Sequence, residues 1–389
     1  MSGSVISGQR GAVAGAILLG ILWSVGAIEQ IAPQPDRMAL LFAGLVLLWI
    51  HLRGAGNPAL ACYYAFLVGA SERIARLPLT DASDVMRATT EAIETLLQGG
   101  NPYAHVMQST IPVGSPFVYP PGEIALYLPS YLLVTDITRV DTITGILSIG
   151  LIALAGQRAG WDRVALPAML YATWGVGAFR AVDGSNDVSG AFLVICGLVA
   201  LVFADPRTRV GRVAYVVSAV ALGWAMAFKQ FAVVIVPLVI RHLAVSGRDW
   251  RRYAAISFGT AAAFVLPFLL WDPQAFIGQQ LATFTFHQDL WGINLLNLIA
   301  QYQDVAPVYP LFFAAEVLLT LIGFGFALRV RFQTIGRAAI AGCGVILIAL
   351  FLARWSTQPY FIYIGAVACT ALALADHSAR AAENLESAR

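Results

Sequence analysis

Long apolar runs recur along nearly the whole chain, and within each run the apolar residues follow one another without regular alternation. The runs at 13–28, 191–203 and 342–353 are clear examples. In bilayer hydrocarbon only helices and closed barrels satisfy their backbone hydrogen bonds, and barrel strands alternate apolar with polar positions. The continuous pattern therefore predicts membrane-spanning helices.

The runs give about twelve candidate spans, several of them shorter than the roughly 20 residues that a perpendicular crossing needs. We expect an all-α fold, a polytopic bundle that forms one integral membrane domain over residues 1–389. The predicted limits are 11–28, 38–52, 58–70, 139–157, 163–180, 187–204, 212–228, 230–243, 252–271, 309–328, 337–353 and 359–376.

Composition agrees with a membrane protein, because 59% of the residues are hydrophobic and 12% are charged, against about 25% charged in soluble domains. The net charge of +2 gives no support for a nucleic-acid partner. The cysteines lie inside apolar runs without metal-ligand spacing, so we interpret them as packing residues and predict no metal site and no cofactor. They are Cys62, Cys196, Cys343 and Cys369.

Three arginine-rich connections, at 207–212, 241–252 and 329–337, set the predicted orientation, because short cytoplasmic loops carry an excess of Lys and Arg. This orientation places both termini in the cytoplasm and predicts a multi-pass protein of the plasma (inner) membrane. Residues 71–119 and 272–308 become external loops. A crossing at 120–134 would invert everything downstream, so we interpret that segment as a re-entrant or interfacial half-helix.

The same orientation collects the unusual polar residues at or near the external side, although it was derived from arginines in loops. Ionisable residues near a membrane are costly to bury and are functional candidates. The residues are Asp81, Asp84, Arg180, Asp183, Asn186, Asp187, Lys229, His287 and Arg354.

Asp81 and Asp84 precede a segment, 85–98, whose apolar residues recur at helical spacing and which a Gly-Gly-Asn-Pro stretch ends. This pattern predicts an amphipathic helix at the outer interface. Each aspartate is either a capping residue or a catalytic carboxylate. Asp81 is the better placed N-cap, since it precedes the periodic segment by several residues.

Lys229 is the sole lysine of the chain and separates two apolar runs of about 15 residues. Such a run reaches roughly 22 Å, less than a hydrocarbon core of roughly 30 Å. Lys229 should therefore lie below the outer surface, where a compact ammonium suits a phosphate. The alternative is a lysine that snorkels to the interface.

Three further positions have an ordinary and a functional interpretation. The stretch 180–187 is either a polar helix connection or a binding turn that presents Arg180, Asn186 and Asp187. Arg354 is either an interfacial anchor or a phosphate ligand. His287, among aromatic residues, is either packed at the interface or part of a site.

The order of Asp84, a helix, Gly-Gly-Asn-Pro-Tyr at 99–103 and Val-Tyr-Pro-Pro at 118–121 resembles glycosyltransferase family 87 and related GT-C polyprenyl-phosphate-sugar transferases. The Gly-Ser-Asn-Asp turn at 184–187 and the Ala-Phe-Lys-Gln stretch at 227–230 are similar to that family's polar turn and lysine-containing helix pair. The motifs cover about a third of the chain. Three helices precede the Asp loop here, whereas the GT-C pattern has one.

The resemblance implies a hexosyl- or pentosyltransferase, similar to mannosyltransferases, that inverts the sugar at the external side. The donor would be a polyprenyl-phosphate sugar and the acceptor a glycan or glycolipid. Asp84, or else Asp81, would be the general base. The donor and acceptor would be bound by Lys229, Arg180, Arg354, His287, Asn186, Asp187 and Tyr119.

Two other classes remain open. A polytopic transporter or lipid flippase fits the composition equally well, but it would show repeat symmetry between the halves, and it gives the long loop with Asp84 no role. An assembly subunit without catalysis is the third possibility.

Overall fold

The computed structural model describes residues 2–30, 35–77, 82–285 and 291–375, and this part of the chain is almost entirely helical. Two two-residue strands, Trp291–Gly292 and Trp355–Ser356, pair in parallel. The helices are α1 Ser2–Gln30, α2 Pro35–Leu52, α3 Pro58–Arg76, α4 Asp84–Leu97, α5 Pro121–Val134, α6 Thr138–Ala159, α7 Trp161–Ala172, α8 Gly175–Asp183, α9 Asp187–Phe203, α10 Arg209–Phe228, α11 Ala232–Val245, α12 Trp250–Trp271, α13 Pro273–Thr285, α14 Leu295–Ala300, α15 Tyr309–Arg329, α16 Ile335–Leu352 and α17 Gln358–Ala373.

Within the described residues, 6 helices are long and apolar enough to cross a membrane, or up to 7 if the bent pair α8 and α9 counts as one span. The six spans lie in α1, α6, α10, α12, α15 and α16. The helices α11 and α17 are shorter apolar helices. Helices also occupy every predicted span, so the all-α polytopic fold is confirmed.

The single span predicted over 163–180 is wrong, because α7 ends at Ala172 and α8 begins at Gly175. Between them Trp174 has an extended backbone, with φ −72° and ψ 92°. Its indole packs so closely on Gly365 of α17 that a Cβ there would lie 2.3 Å from the ring. Gly175 and Gly177 also favour a break, since glycine is a poor helix former.

The chain bends by 109° between α8 and α9. Gly184 and Asn186 make this turn with positive φ angles of 72° and 54°. Asparagine enters the left-handed region more easily than most residues, because its short side chain bonds locally. The turn places Asn186 and Asp187 at the buried beginning of α9.

The helix α5 runs beside α4. Near its start Glu123 accepts a hydrogen bond of 2.5 Å from Thr89 of α4, and near its end Tyr131 donates one of 2.9 Å to Glu94. Its 14 residues extend roughly 21 Å. Both ends of α5 therefore contact α4, and the interpretation of α5 as a re-entrant or interfacial half-helix stays a prediction.

The three arginine-rich connections lie side by side at one end of the bundle. Arg241 donates 3.0 Å to the carbonyl of Leu328, and Arg248 donates to the carbonyl of Ala204. From this end α10 rises for 20 residues, about 30 Å, to Lys229. We call the opposite end, with Lys229 and α4, the site face; its exposure to the outside of the cell stays a prediction.

Candidate active site

Lys229 follows the last residue of α10 and is buried, with 4% of its surface exposed. Its Nζ donates hydrogen bonds of 2.8 Å to Asn186 Oδ1 and 2.5 Å to Asp187 Oδ1. A buried charge needs a partner or hydrogen bonds to offset its lost hydration, and here the turn between α8 and α9 supplies both.

The hydrogen-bond chain continues from Asn186 to Glu123. Asn186 Nδ2 donates 2.7 Å to Glu123 Oε2, and the hydroxyl of Thr89 donates 2.5 Å to Glu123 Oε1. All three residues are fully buried. One polar network therefore joins α4, α5, α9 and the end of α10, and a fully satisfied buried network specifies a unique arrangement of its helices.

Asp183 organises a second cluster beside the first. Its carboxylate accepts 2.6 Å from Arg180 and 2.5 Å from the hydroxyl of Ser185. The backbone N–H of Ser83 donates 2.7 Å to the carbonyl of Asp183, and the Ser83 hydroxyl donates 2.8 Å to that of Gly184. These bonds dock the start of α4 onto the turn between α8 and α9.

Asp84 is the first residue of α4 and is exposed to solvent. The N-cap is Ser83, whose hydroxyl accepts 3.4 Å from Met86 N–H. Sequence reasoning was therefore wrong to give the cap to Asp81, which itself lies outside the described residues. Because Ser83 makes the cap, Asp84 is not needed for it.

Asp84 follows Ser83, the residue that docks α4 onto the turn between α8 and α9. Burial raises the pKa of Tyr119 well above its usual value, and the negative charges of Asp187 and Asp84 add to this effect. The ring centroid of Tyr360 lies 5.2 Å from Lys229 Nζ. Asp84 thus lies at the end of α4 that is docked onto the turn between α8 and α9, the turn that also carries the partners of Lys229.

A cavity of about 740 Å³ opens beside Lys229. Tyr119, Lys229 and Arg354 give it a polar mouth, and α11, α15 and α16 give it mostly apolar walls. On α15 the lining residues include positions 309, 313, 316 and 320, which follow one helix face over about 16 Å. Such a cavity suits an amphipathic ligand with an anionic head and a long hydrocarbon tail.

The structure gathers most of the predicted site residues. Lys229, Asn186 and Asp187 contact one another directly. Tyr119 and Arg354 line the same cavity, and Arg180 belongs to the neighbouring cluster through Asp183. His287, like Asp81, lies outside the described residues.

The ion pair with Asp187 limits the number of hydrogen bonds that Lys229 could donate to a phosphate. Two of its three N–H donors are used by Asn186 and Asp187, so one remains for a ligand. Because Asp187 offsets much of the ammonium charge, Arg354 at the same mouth would be the second cation that a phosphate contacts.

Sequence reasoning missed Glu123, the buried acceptor between Thr89 and Asn186. The signal was present, since Glu123 is the only charged residue in the apolar segment 120–134, and a charge in such a segment is a functional candidate. It also missed Glu316, the single charge of α15 before its last residue, which lines the cavity.

In the part of the chain that the structure describes, His, Cys, Asp and Glu side chains form no group of three that could hold a metal ion.

No family model matches the chain, and no curated protein matches it. Among solved structures, ArnT from Cupriavidus metallidurans bound to undecaprenyl phosphate is 16% identical, with a TM-score of 0.51 over 81% of this chain and 58% of ArnT. The apo structure of ArnT is 18% identical, with a TM-score of 0.49. The chain thus spans 58% of the length of ArnT. This chain therefore shares the fold of ArnT over the matched region, whereas the resemblance to GT-C transferases and to family 87 stays a prediction.

Proposed function

We propose that this protein is a membrane glycosyltransferase that moves a sugar from a polyprenyl phosphate to an acceptor hydroxyl at the site face. The observation that carries the proposal is the cavity itself, where a buried lysine and an arginine lie at the polar end of a pocket whose walls are mostly apolar. ArnT, which shares the fold, has been crystallised with undecaprenyl phosphate, and this supports a lipid phosphate as the ligand.

The donor would place its hydrocarbon tail between α11, α15 and α16, where tail burial is favourable in proportion to apolar area. Its phosphate would contact the third N–H of Lys229 and the guanidinium of Arg354 at the mouth. An arginine fork and a lysine point charge both suit phosphate oxygens. The sugar would then face Tyr119 and Asp84.

In the transfer step the acceptor oxygen attacks the anomeric carbon from the side opposite the phosphate, which inverts that carbon. A new C–O bond forms as the bond to the phosphate oxygen breaks, and the electron pair leaves with the lipid phosphate. Asp84 accepts the acceptor's proton as general base. Lys229 and Arg354 stabilise the charge that develops on the departing phosphate.

The direct test is transfer by the purified protein in proteoliposomes. Polyprenyl phosphates carrying a radiolabelled hexose or pentose are supplied together with an extract of the native envelope as acceptor. We expect label to leave the lipid and to appear in a glycan or glycolipid, with stoichiometric release of polyprenyl phosphate.

The same vesicles distinguish the rival class. If the labelled lipid changes leaflet without losing its sugar, the protein is a flippase and the transferase proposal is wrong. If neither movement nor transfer occurs with any donor, both enzymatic and transport roles are rejected for polyprenyl-phosphate sugars.

A further inference from the structure

A second cavity, of about 690 Å³, forms a groove along α4 on the site face. Its walls are α4, the loop 105–109 and the turn 135–138. Ala82 and Met86, which flank Asp84 in the chain, line one end of it. The end of the groove at Ala82 and Met86 is therefore next to the candidate base in the chain, and no residue that lines the groove also lines the cavity beside Lys229.

The helix α4 presents a polar stripe to this groove. Its lining residues include Arg87, Glu91, Glu94 and Gln98, which share a face with Asp84 because they recur at helical spacing. From position 87 to 98 the helix rises about 16 Å. The groove is thus longer than one sugar ring and has room for a chain.

The facing wall is fixed in place by Glu91. Its carboxylate accepts 2.7 Å from Gln108 N–H, 2.8 Å from Ser109 N–H, 2.6 Å from the Ser109 hydroxyl and 2.7 Å from His105 Nε2. A ligand therefore meets a groove whose walls are already set, which lowers the entropic cost of binding.

Three exposed side chains of the groove, on or next to α4, end in planar polar groups. Among the described residues, neither the guanidinium of Arg87 nor the side-chain amide of Gln98 has a hydrogen-bond partner, and Glu94 is exposed and bonded to Tyr131. Donors and acceptors of this kind suit neighbouring hydroxyl groups. The lining holds one arginine, Arg87, and the carboxylates Glu91, Glu94 and Asp136, a composition that disfavours an anionic ligand.

We propose that this groove binds the acceptor, and that the acceptor is a neutral glycan chain whose terminal hydroxyl reaches Asp84. The inference rests on the proposed function for the identity of Asp84 as base. The sequence implies either a glycan or a glycolipid as the acceptor. The proposal selects the glycan, whose sugar chain would lie along α4.

The first test captures the ligand in native membranes. The photo-crosslinker p-benzoylphenylalanine replaces Gln98, and as a control it replaces Gln303, an exposed glutamine outside the groove. After irradiation we expect periodate-reactive glycan on the protein labelled at position 98 and none on the protein labelled at 303. Capture of lipid alone, of protein alone or of nothing at position 98 overturns the proposal.

The second test is kinetic and uses the transfer assay with envelope extract as acceptor. Removing two hydrogen-bonding groups in the double variant Arg87→Ala, Gln98→Ala should raise KM for the acceptor about tenfold and leave KM for the donor unchanged. An unchanged acceptor KM contradicts the groove. If the wild type shows no transfer, the proposed function fails, while the crosslinking result still decides whether the groove binds glycan.

Discussion

Lys229 Nζ lies 2.5 Å from Asp187 Oδ1, and only 5% and 2% of these two side chains are exposed. The pair ties the end of α10 to the start of α9 beside the cavity that we propose to hold the lipid donor. Lys229 therefore has two roles in our interpretation, since it holds the turn between α8 and α9 and also offers a donor to a phosphate. A simple loss of activity in a lysine variant would not separate these roles.

A double variant separates them. Lys229→Met leaves a buried carboxylate without its cation, which typically costs about 3–5 kcal/mol, so thermal unfolding in detergent should shift to a lower temperature. Adding Asp187→Asn removes the unpaired charge and should recover most of that loss. Binding of a polyprenyl-phosphate sugar should stay weak in both variants. A double variant that binds the donor like the wild type would show that the lysine is structural only.

Asp84→Asn tests the base. The amide keeps the size of the side chain, and Ser83 provides the helix cap, so folding should be unchanged. An amide does not accept a proton at neutral pH, so turnover should fall by about 10²–10⁴ while donor binding persists. The matched control is Asp205→Asn, at the opposite end of the bundle, where Asp205 accepts 2.9 Å from Arg207 N–H. Near-normal turnover of the Asp84 variant would place the base elsewhere.

Much of the architecture follows from one-dimensional patterns. Apolar runs locate the membrane helices because the bilayer leaves the backbone no other solution. The helix α4 was visible as a periodic segment followed by a Gly-Gly-Asn-Pro stretch, and the arginine-rich loops marked one end of the bundle. These features depend on residues that are close in sequence, which is why the sequence alone predicts them.

The sequence did not predict the hydrogen-bond network of Lys229, Asn186 and Glu123, because these residues are distant from one another in the chain. Glu123, Asn186 and Lys229 come from three separate segments, and nothing in their local sequence states that they share hydrogen bonds. The break at Trp174 likewise depends on a ring that packs against Gly365, a contact between helices far apart in the chain. Tertiary packing determines both the network and the break at Trp174, whereas local helix propensity is only compatible with them.

The carboxylate of Glu91 gives the groove wall a pH dependence. Burial would raise its pKa, but hydrogen bonds from Ser109, Gln108 and His105 outweigh this and lower it to about 2. The pKa of Glu91 is lower in the folded form than its value of 4.5 in the unfolded chain, so the carboxylate stabilises the folded form above pH 4.5. This stabilisation is lost as the pH falls from 4.5 through about 2. We expect the amides of Gln108 and Ser109 to lose protection from hydrogen exchange, relative to intrinsic rates, over that range.

In Glu91→Gln the same amides should exchange faster already at pH 7, because the neutral side chain offers one acceptor oxygen where the carboxylate offers two. Glu94→Gln, one turn away and bonded to Tyr131, serves as the control and should leave those amides protected. Equal protection in the wild type and the Glu91 variant would show that other contacts hold the loop.

The orientation of the bundle is testable with a pair of exposed positions at its two ends. Arg207→Cys lies in an arginine-rich connection and Gln303→Cys in a loop of the site face, and both residues are exposed. The native cysteines are buried or half-buried. In intact cells a membrane-impermeant maleimide should label position 303 and not position 207. The reverse pattern would place the site face in the cytoplasm.

The last prediction concerns the length of the cavity that we propose to hold the lipid donor. Thr320 and Tyr309 are at opposite ends of the α15 face that lines the cavity, about 16 Å apart along the helix. Thr320→Trp should fill the end at position 320, and forcing a ligand against an added ring costs about 1–3 kcal/mol. KM for a donor with an undecaprenyl tail should therefore rise about tenfold, while KM for a donor with a geranyl tail, too short to reach position 320, should not change.

Leu321→Trp is the control for this variant, because Leu321 is on the same helix, is 63% exposed and does not line the cavity. Its effect on either donor should be small. If Thr320→Trp impairs both donors equally, the ring acts on the mouth or on the fold and not on the tail. If it impairs neither, the tail does not enter the cavity, and the lipid must approach Lys229 by another route.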